Sequence, residues 1–139
     1  MRIFTVLLLS ATWFLSSSFS SGNTGGISFQ KDSYSEVKKL AKATNKIIFI
    51  DAYTVWCGPC KKMAANVFTD KEVGTFFNTN FYNVKMDMEK AEGMLFARRY
   101  NVNFYPTLLF VRPDGSVIKK EVGYKNKTQL LRIARAALN

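Results

Sequence analysis

Cys57 and Cys60 are the only cysteines of the chain, and they stand three residues apart in Trp56-Cys57-Gly58-Pro59-Cys60. At the start of a helix that spacing places the two side chains one turn from each other, within reach of a sulfur–sulfur bond. A redox pair, a structural bridge and half of a metal site all use two such cysteines. A bridge closing about four residues contributes roughly 2 kcal/mol or less by loop entropy, against about 4.7 kcal/mol for a 100-residue loop, so stability is a weak reason to have one. The metal reading lacks ligands: the chain has no His and no further Cys, so a zinc site would need two chains to pool their pairs. The absence of His also excludes Ser-His and Cys-His dyads. Thiol–disulfide chemistry is the use that this spacing favours.

The neighbouring residues suit a reactive thiol. At the N-cap or first turn of a helix, Cys57 meets unpaired backbone N–H groups and the positive end of the helix dipole, which favour the attacking thiolate over the thiol. Gly58 lets a substrate backbone approach closely, and Pro59 fits a first helical turn, where its missing N–H breaks no bond. Cys60, one turn further in, is placed to resolve a mixed disulfide on Cys57 and is expected to be the less exposed of the two. Lys61 and Lys62 either add positive potential beside the thiolate or are solvated helix charges. Asp51 stands in an otherwise apolar stretch, where burial would raise its affinity for a proton; the alternative is a strand-end acid turned to solvent.

These residues must be held by a scaffold, and the pattern supplies one. Ser33-Tyr34-Ser35-Glu36 has the form of a capping box, and Tyr34, Val37, Leu40 and Ala41 keep helical spacing as far as Asn45. Lys46 to Tyr53 is a continuous apolar run rich in β-branched residues, the mark of a central strand buried on both faces. Cys57 to about Val67 reads as a helix, and a second cap at Thr69-Asp70-Lys71-Glu72 opens another helical turn or two toward Phe77. Phe81 to Asp87 reads as a strand and Glu89 to Tyr100 as a helix. Thr107 to Arg112, a turn at Pro113-Asp114-Gly115-Ser116 and Val117 to Val122 form a hairpin signal, and a closing helix runs from about Asn126 to Leu138. The fold class is α/β: a central mixed sheet, parallel in its core with an antiparallel terminal hairpin, covered by helices on both faces. The 139 residues, 47% of them apolar, suffice for one such domain.

The first twenty residues differ from the rest. Met1 and Arg2 precede an apolar stretch from Ile3 to Leu9, continued by Ala11, Trp13, Phe14 and Leu15, after which Ser and Gly dominate. That order predicts a secretory signal over 1–20, cut near Ser20, a flexible lead over 21–27 and the folded domain over 28–139. A retained membrane anchor is the alternative, although Ser10 and Thr12 interrupt a stretch already short of the ~20 residues that span a bilayer.

Trp56-Cys57-Gly58-Pro59-Cys60, the strand with Asp51 six residues before the first cysteine, Tyr105-Pro106-Thr107 opening a later strand, and Gly123 after the hairpin together resemble the thioredoxin family. The resemblance covers roughly Ser28 to Asn139. It implies a catalytic set of Cys57, Cys60 and Asp51, with a redox-active Cys57–Cys60 disulfide in place of any cofactor or metal. It implies that Asp51 is the buried acid that exchanges a proton with Cys60, and that Pro106 is a cis-proline facing the cysteines. A substrate peptide would pair with the backbone just before that proline, in a groove contributed by Trp56, Gly58, Pro59, Tyr105, Pro106, Thr107 and Gly123. The chain departs from the family at Tyr53 and Tyr105. Where members often carry a Lys beside the buried acid, the strand offers Asn83, with Lys85 two residues later on the same face.

The signal predicts an exported, periplasmic or secreted protein, and the Gly-Pro between the cysteines resembles that of reducing members of the family, which implies that it reduces disulfides in other exported proteins. A dithiol outside the cytoplasm needs a continuing electron supply, expected from a thiol donor embedded in the membrane. Disulfide formation or isomerisation on the same fold is the alternative, and a peptide-binding module with secondary cysteine chemistry is a further one. The net charge of +10 raises the question of nucleic acid. The basic residues, however, are dispersed as Lys38-Lys39, Lys61-Lys62, Arg98-Arg99 and Lys119-Lys120, without an aromatic-basic motif, so no nucleic-acid partner is expected and the protein is expected to be a monomer. Lys38, Lys39 and Lys42 on the first helix, and Lys125, Lys127, Arg132 and Arg135 near or on the last, are candidates to attract acidic proteins or anionic lipid headgroups.

Overall fold

The computed structural model describes residues 25–139, so the signal expected over 1–20 lies outside the described residues. The element order is α1 (Tyr34–Thr44), β1 (Ile47–Tyr53), α2 (Gly58–Asn66), α3 (Lys71–Asn80), β2 (Phe81–Asp87), α4 (Ala91–Tyr100), β3 (Thr107–Val111), β4 (Val117–Val122) and α5 (Lys127–Ala137). The four strands form one sheet in the order β2-β1-β3-β4. β1 runs parallel to β2 and antiparallel to β3, and β3 and β4 form the antiparallel hairpin, so the sheet is mixed as expected.

β1 is apolar throughout except at Asp51 because it lies inside the sheet with a packed layer on each face. Phe49 points into one layer with Phe77, Phe81, Leu108, Phe110, Leu130 and α2's Met63. Its neighbours Ile48, Ile50 and Ala52 point into the other, with Val37 and Ala41 of α1 and Phe96 and Tyr100 of α4. The first layer is built on phenylalanines: Phe49 meets Phe77 at 4.8 Å and Phe110 at 5.1 Å between ring centroids. β4 is an edge strand, and Lys119 and Lys120 on it discourage pairing with another chain.

Two expected boundaries move. The cap before α3 is Asp70, whose Oδ1 accepts from the N–H groups of Glu72 and Val73, and the helix runs on to Asn80 rather than ending near Phe77. The lead expected over 21–27 gives way to docked chain by Gly26. Ile27 N–H donates to the Phe68 carbonyl at 2.7 Å, and the Asn78 side chain bonds both Gly26 and Ser28. Gly26 lies against Gly74 of α3 so closely that a Cβ on Gly74 would strike its backbone, which is why this contact needs glycine. The box expected at Ser33 is half formed, since Ser33 Oγ accepts from Glu36 N–H while the Glu36 carboxylate turns to Lys39; the reciprocal box is at Asn126 and Gln129.

Candidate active site

β1 ends at Tyr53, and the four residues that follow carry the chain over the sheet edge into α2. The turn is closed by Cys57 N–H donating to the Thr54 carbonyl at 3.3 Å. Cys57 is the N-cap of α2, with Gly58 and Pro59 as its first two helical residues. Cys57 and Cys60 form a disulfide with Cα atoms 5.3 Å apart. Cys60 N–H donates to Cys57 Sγ at 3.2 Å, so the first cysteine's sulfur already holds a free N–H of the helix's first turn. On reduction the same N–H and the helix dipole favour a thiolate on Cys57. The expected difference in burial is absent from the disulfide form: Cys57 is 4% and Cys60 3% exposed. A bonded pair shares one environment, and attack on Cys57 requires only that its sulfur be approached along the S–S axis.

Asp51 is 1% exposed, which excludes the solvent-facing placement. It projects to the same sheet face as Phe49, the face on which α2 packs through Met63. Neither carboxyl oxygen has a hydrogen-bond partner among the described residues. Burial without compensating bonds pushes its pKa up to about 7, and the positive charge of Lys85 moderates that rise. Lys85 is the residue of β2 beside Asp51, because β1 and β2 pair with Asp51 opposite Lys85 and Phe49 opposite Asn83. Asn83 instead donates to the Ser28 carbonyl and to Asn78 Oδ1, fixing the N-terminal segment to β2. A recess of about 230 Å³ beside Cys60 is lined by Tyr53, Thr54, Lys61, Ala64 and Lys85 and opens this side of the disulfide to solvent.

The rim is assembled from three chain segments. Tyr105–Pro106 is a cis peptide. Gly123, at φ 85°, donates its N–H to the Pro106 carbonyl at 2.7 Å, which brings the loop after β4 against the proline. The exposed Trp56 ring meets Tyr105 edge to face at 6.0 Å between centroids. Around Gly58 a Cβ would meet nothing within 4 Å, so no internal contact requires glycine there; the space is open to an incoming chain. Pro59 is exposed beside it.

Thr107 does not belong to that rim as a side chain. It is fully buried, and its hydroxyl donates to the Phe104 carbonyl at 2.6 Å, so it shapes the proline loop from beneath. Three residues on or next to the rim escape the sequence pattern. Phe104, 69% exposed two positions before Pro106, and Tyr124, beside Gly123, are aromatics that look like core until their placement is known. Glu89 accepts from Trp56 Nε1 at 2.8 Å across 33 residues. The aromatic pair Phe104-Tyr105 directly before a proline was the one available signal. Lys62 lies 5.0 Å over the Tyr124 ring, while Lys61 faces the recess, so the two lysines serve different parts of the site.

Residues 34–138 match the family model described as the thioredoxin-like domain. Thioredoxin-1 of Drosophila melanogaster is 35% identical to the chain over 77 residues, 55% of this chain and 67% of that protein. The thioredoxin of Mycobacterium tuberculosis is 34% identical over 90 residues, 65% of this chain and 72% of its own. Among solved structures, a Bacteroides thetaiotaomicron protein provisionally assigned as a disulphide-isomerase shares the fold with a TM-score of 0.74 and 40% identity, covering 84% of this chain and 96% of that one.

Proposed function

The chain belongs to the thioredoxin-like family and is a thiol:disulfide oxidoreductase, and from that premise we propose that it works as an exported reductant of protein disulfides. The observation that carries the chemistry is the Cys57–Cys60 disulfide at the head of α2, with the buried carboxyl of Asp51, unpartnered among the described residues, on the face of β1 against which α2 packs.

In the reducing direction the Cys57 thiolate attacks one sulfur of a substrate disulfide. A bond forms between Cys57 Sγ and that sulfur, the substrate bond breaks, and the second substrate sulfur leaves as a thiolate that takes up a proton. Cys60 then gives its proton to the Asp51 carboxylate, directly or through solvent in the recess, and attacks Cys57 Sγ; the Cys57–Cys60 bond forms as the bond from Cys57 to the substrate breaks, and the first substrate sulfur leaves as a thiolate that takes up a proton. The substrate departs with two thiols and the protein is left as the disulfide seen here, two electrons having passed from the pair to the substrate. The bound peptide lies along the backbone before Pro106, between Trp56, Tyr105 and Gly123, where main-chain groups supply affinity without demanding one sequence.

Export is supported by the charged, apolar, small-residue order of residues 1–20, and an exported reductant requires a membrane-embedded thiol donor to regenerate its dithiol. Turbidimetric insulin reduction tests the activity: wild type accelerates precipitation and Cys57→Ser does not, whereas equal rates would leave only a binding module. Direction is tested by the reduction potential. A value near that of thioredoxin, about −270 mV, supports a reductant, and one nearer −120 mV makes the protein an oxidant. The similarity to the Bacteroides protein favours isomerisation as the second reading. Reactivation of scrambled ribonuclease by the dithiol form without net oxidation would establish it.

A further inference from the structure

The redox site uses little of the chain's positive charge, and two groups of the remaining cations have different surroundings. Two of the three on α5 are met within the fold: Lys127 pairs with Asp70 at 3.1 Å and Glu72 at 2.9 Å, and Arg135 approaches Glu72 at 3.8 Å. On the opposite sheet face, α1 and α4 carry Lys38, Lys39, Lys42, Arg98 and Arg99, of which Lys39 alone has an ion pair among the described residues, with Glu36 at 2.8 Å.

Between α1 and α4 lies a groove of about 350 Å³, lined by Tyr34, Lys38, Lys42, Leu95, Phe96 and Arg99 among others. Its floor is aromatic, with Tyr34 edge-on to Phe96 at 5.2 Å and Phe96 against Tyr100 at 4.4 Å. Burial, then the hydrogen bond with the Tyr100 hydroxyl, holds the Tyr34 phenol neutral far above the usual tyrosine range, so this phenol adds no negative charge to the floor. Lys38 Nζ sits 5.9 Å from the Tyr34 ring centroid and the Arg99 guanidinium 5.6 Å from that of Tyr100. Glu92 also lines the groove, but its Oε1 accepts from the Tyr34 N–H at 3.0 Å. On the outer surface of α4, Met94 is 45% and Leu95 66% exposed, next to Arg98 and Arg99.

We propose that this α1/α4 face docks the protein on an anionic phospholipid bilayer. Met94 and Leu95 enter the boundary between headgroups and acyl chains, while Lys38, Lys42, Arg98 and Arg99 reach the phosphates with their stems along the apolar ridge. An isolated phosphate would satisfy the cations but leaves the adjacent exposed Met94 and Leu95 unexplained; a bilayer accounts for both. The face lies across the sheet from α2, so docking leaves the disulfide open to substrate. The inference does not depend on the direction of electron flow at Cys57.

The test is co-sedimentation of the protein, as isolated from an exporting host, with vesicles of equal phosphatidylglycerol and phosphatidylcholine and with vesicles of phosphatidylcholine alone. At low salt, partitioning onto the anionic vesicles is expected to exceed that onto neutral ones by roughly tenfold or more, and to fall as salt rises. Lys38→Glu/Arg99→Glu should remove roughly tenfold or more of that binding, and Leu95→Ser several-fold, whereas Lys119→Glu/Arg132→Glu, with the same change in net charge, should leave most of it. Whatever residues 1–24 contribute is common to every variant. Equal binding to both vesicle types, equal losses from the two charge-reversal pairs, or no loss from Leu95→Ser overturns the proposal. Binding to polyglutamate without binding to anionic vesicles would assign the face to acidic proteins instead.

Discussion

Asp51 of β1 lies in register with Lys85 of β2, and Lys85 lines the same recess as Cys60. The pair is unequal: the carboxyl is buried without a hydrogen bond among the described residues, while the lysine is exposed, its Nζ 4.7 Å over the Tyr53 ring. The acid therefore feels a positive charge attenuated by solvent, and burial remains the larger influence on its proton. A carboxyl poised at about 7 can take the Cys60 proton and release it again near neutral pH.

Replacing Asp51 by Asn should slow resolution of the Cys57 mixed disulfide by roughly a hundredfold at pH 7.5, the lower end of what is expected on losing a positioned base. In wild type the rate should decline as pH falls through about 7, because the carboxyl then arrives already protonated. Stopped-flow fluorescence across pH 5–9 measures both. A wild-type profile retained in the Asn variant would remove Asp51 from the mechanism.

Lys85→Met removes the charge that holds the Asp51 pKa down, so the midpoint of the same profile should move to higher pH by a fraction of a unit. Asn83→Ala should leave the midpoint in place, since Asn83 is committed to Ser28 and Asn78. Equal shifts in the two variants would contradict the register.

The same proton couples to stability. Folded, Asp51 keeps its proton up to about pH 7; unfolded, it releases it near 3.8. Between those values the native state binds the extra proton, so stability is lost as pH rises from about 4 to 7 and stays lost above. The ceiling, about three pKa units, is on the order of 4 kcal/mol. Chemical denaturation of the disulfide form at pH 4.5 and pH 8.5 should show a higher midpoint at the lower pH, and Asp51→Asn should shrink the difference. An unchanged difference would place its origin in other groups.

The elements that build the site were readable because local signals and burial agree there. The run ending at Tyr53 is apolar because β1 is covered on both faces, and Cys57-Gly58-Pro59-Cys60 carries its own helix start. What was misread depends on partners distant in sequence. Lys85 rather than Asn83 faces Asp51 because of strand register, which no local pattern states. Asp70 takes the cap from Thr69, and α3 continues to Asn80 because Phe76 and Phe77 pack toward Phe81. Thr107 follows the proline and so looks like a contact residue, yet strand pairing turns it inward.

Trp56 is held from two sides, by its Nε1 bond to Glu89 and by the edge of Tyr105. Glu89→Leu should free the indole with little cost to the fold, about 1 kcal/mol or less for an exposed hydrogen bond. The expected result is a few-fold rise in KM for protein substrates, an unchanged rate with a small dithiol substrate, and altered tryptophan anisotropy. Loss of activity with both substrates would mean that Glu89 supports the cysteines rather than the rim.

Tyr105 and Thr107 flank Pro106 but should behave oppositely. Tyr105→Ala removes rim surface beside Trp56 and should change the ranking of peptide substrates while the denaturation midpoint moves little. Thr107→Val keeps the volume of a fully buried side chain but removes its bond to the Phe104 carbonyl, costing about 1 kcal/mol of stability. It should leave the ranking intact, because the hydroxyl is buried and committed to the Phe104 carbonyl. Measuring both variants by denaturation and by competition between two disulfide peptides separates the roles. A Thr107→Val variant that reorders the peptides at wild-type stability would return Thr107 to the groove.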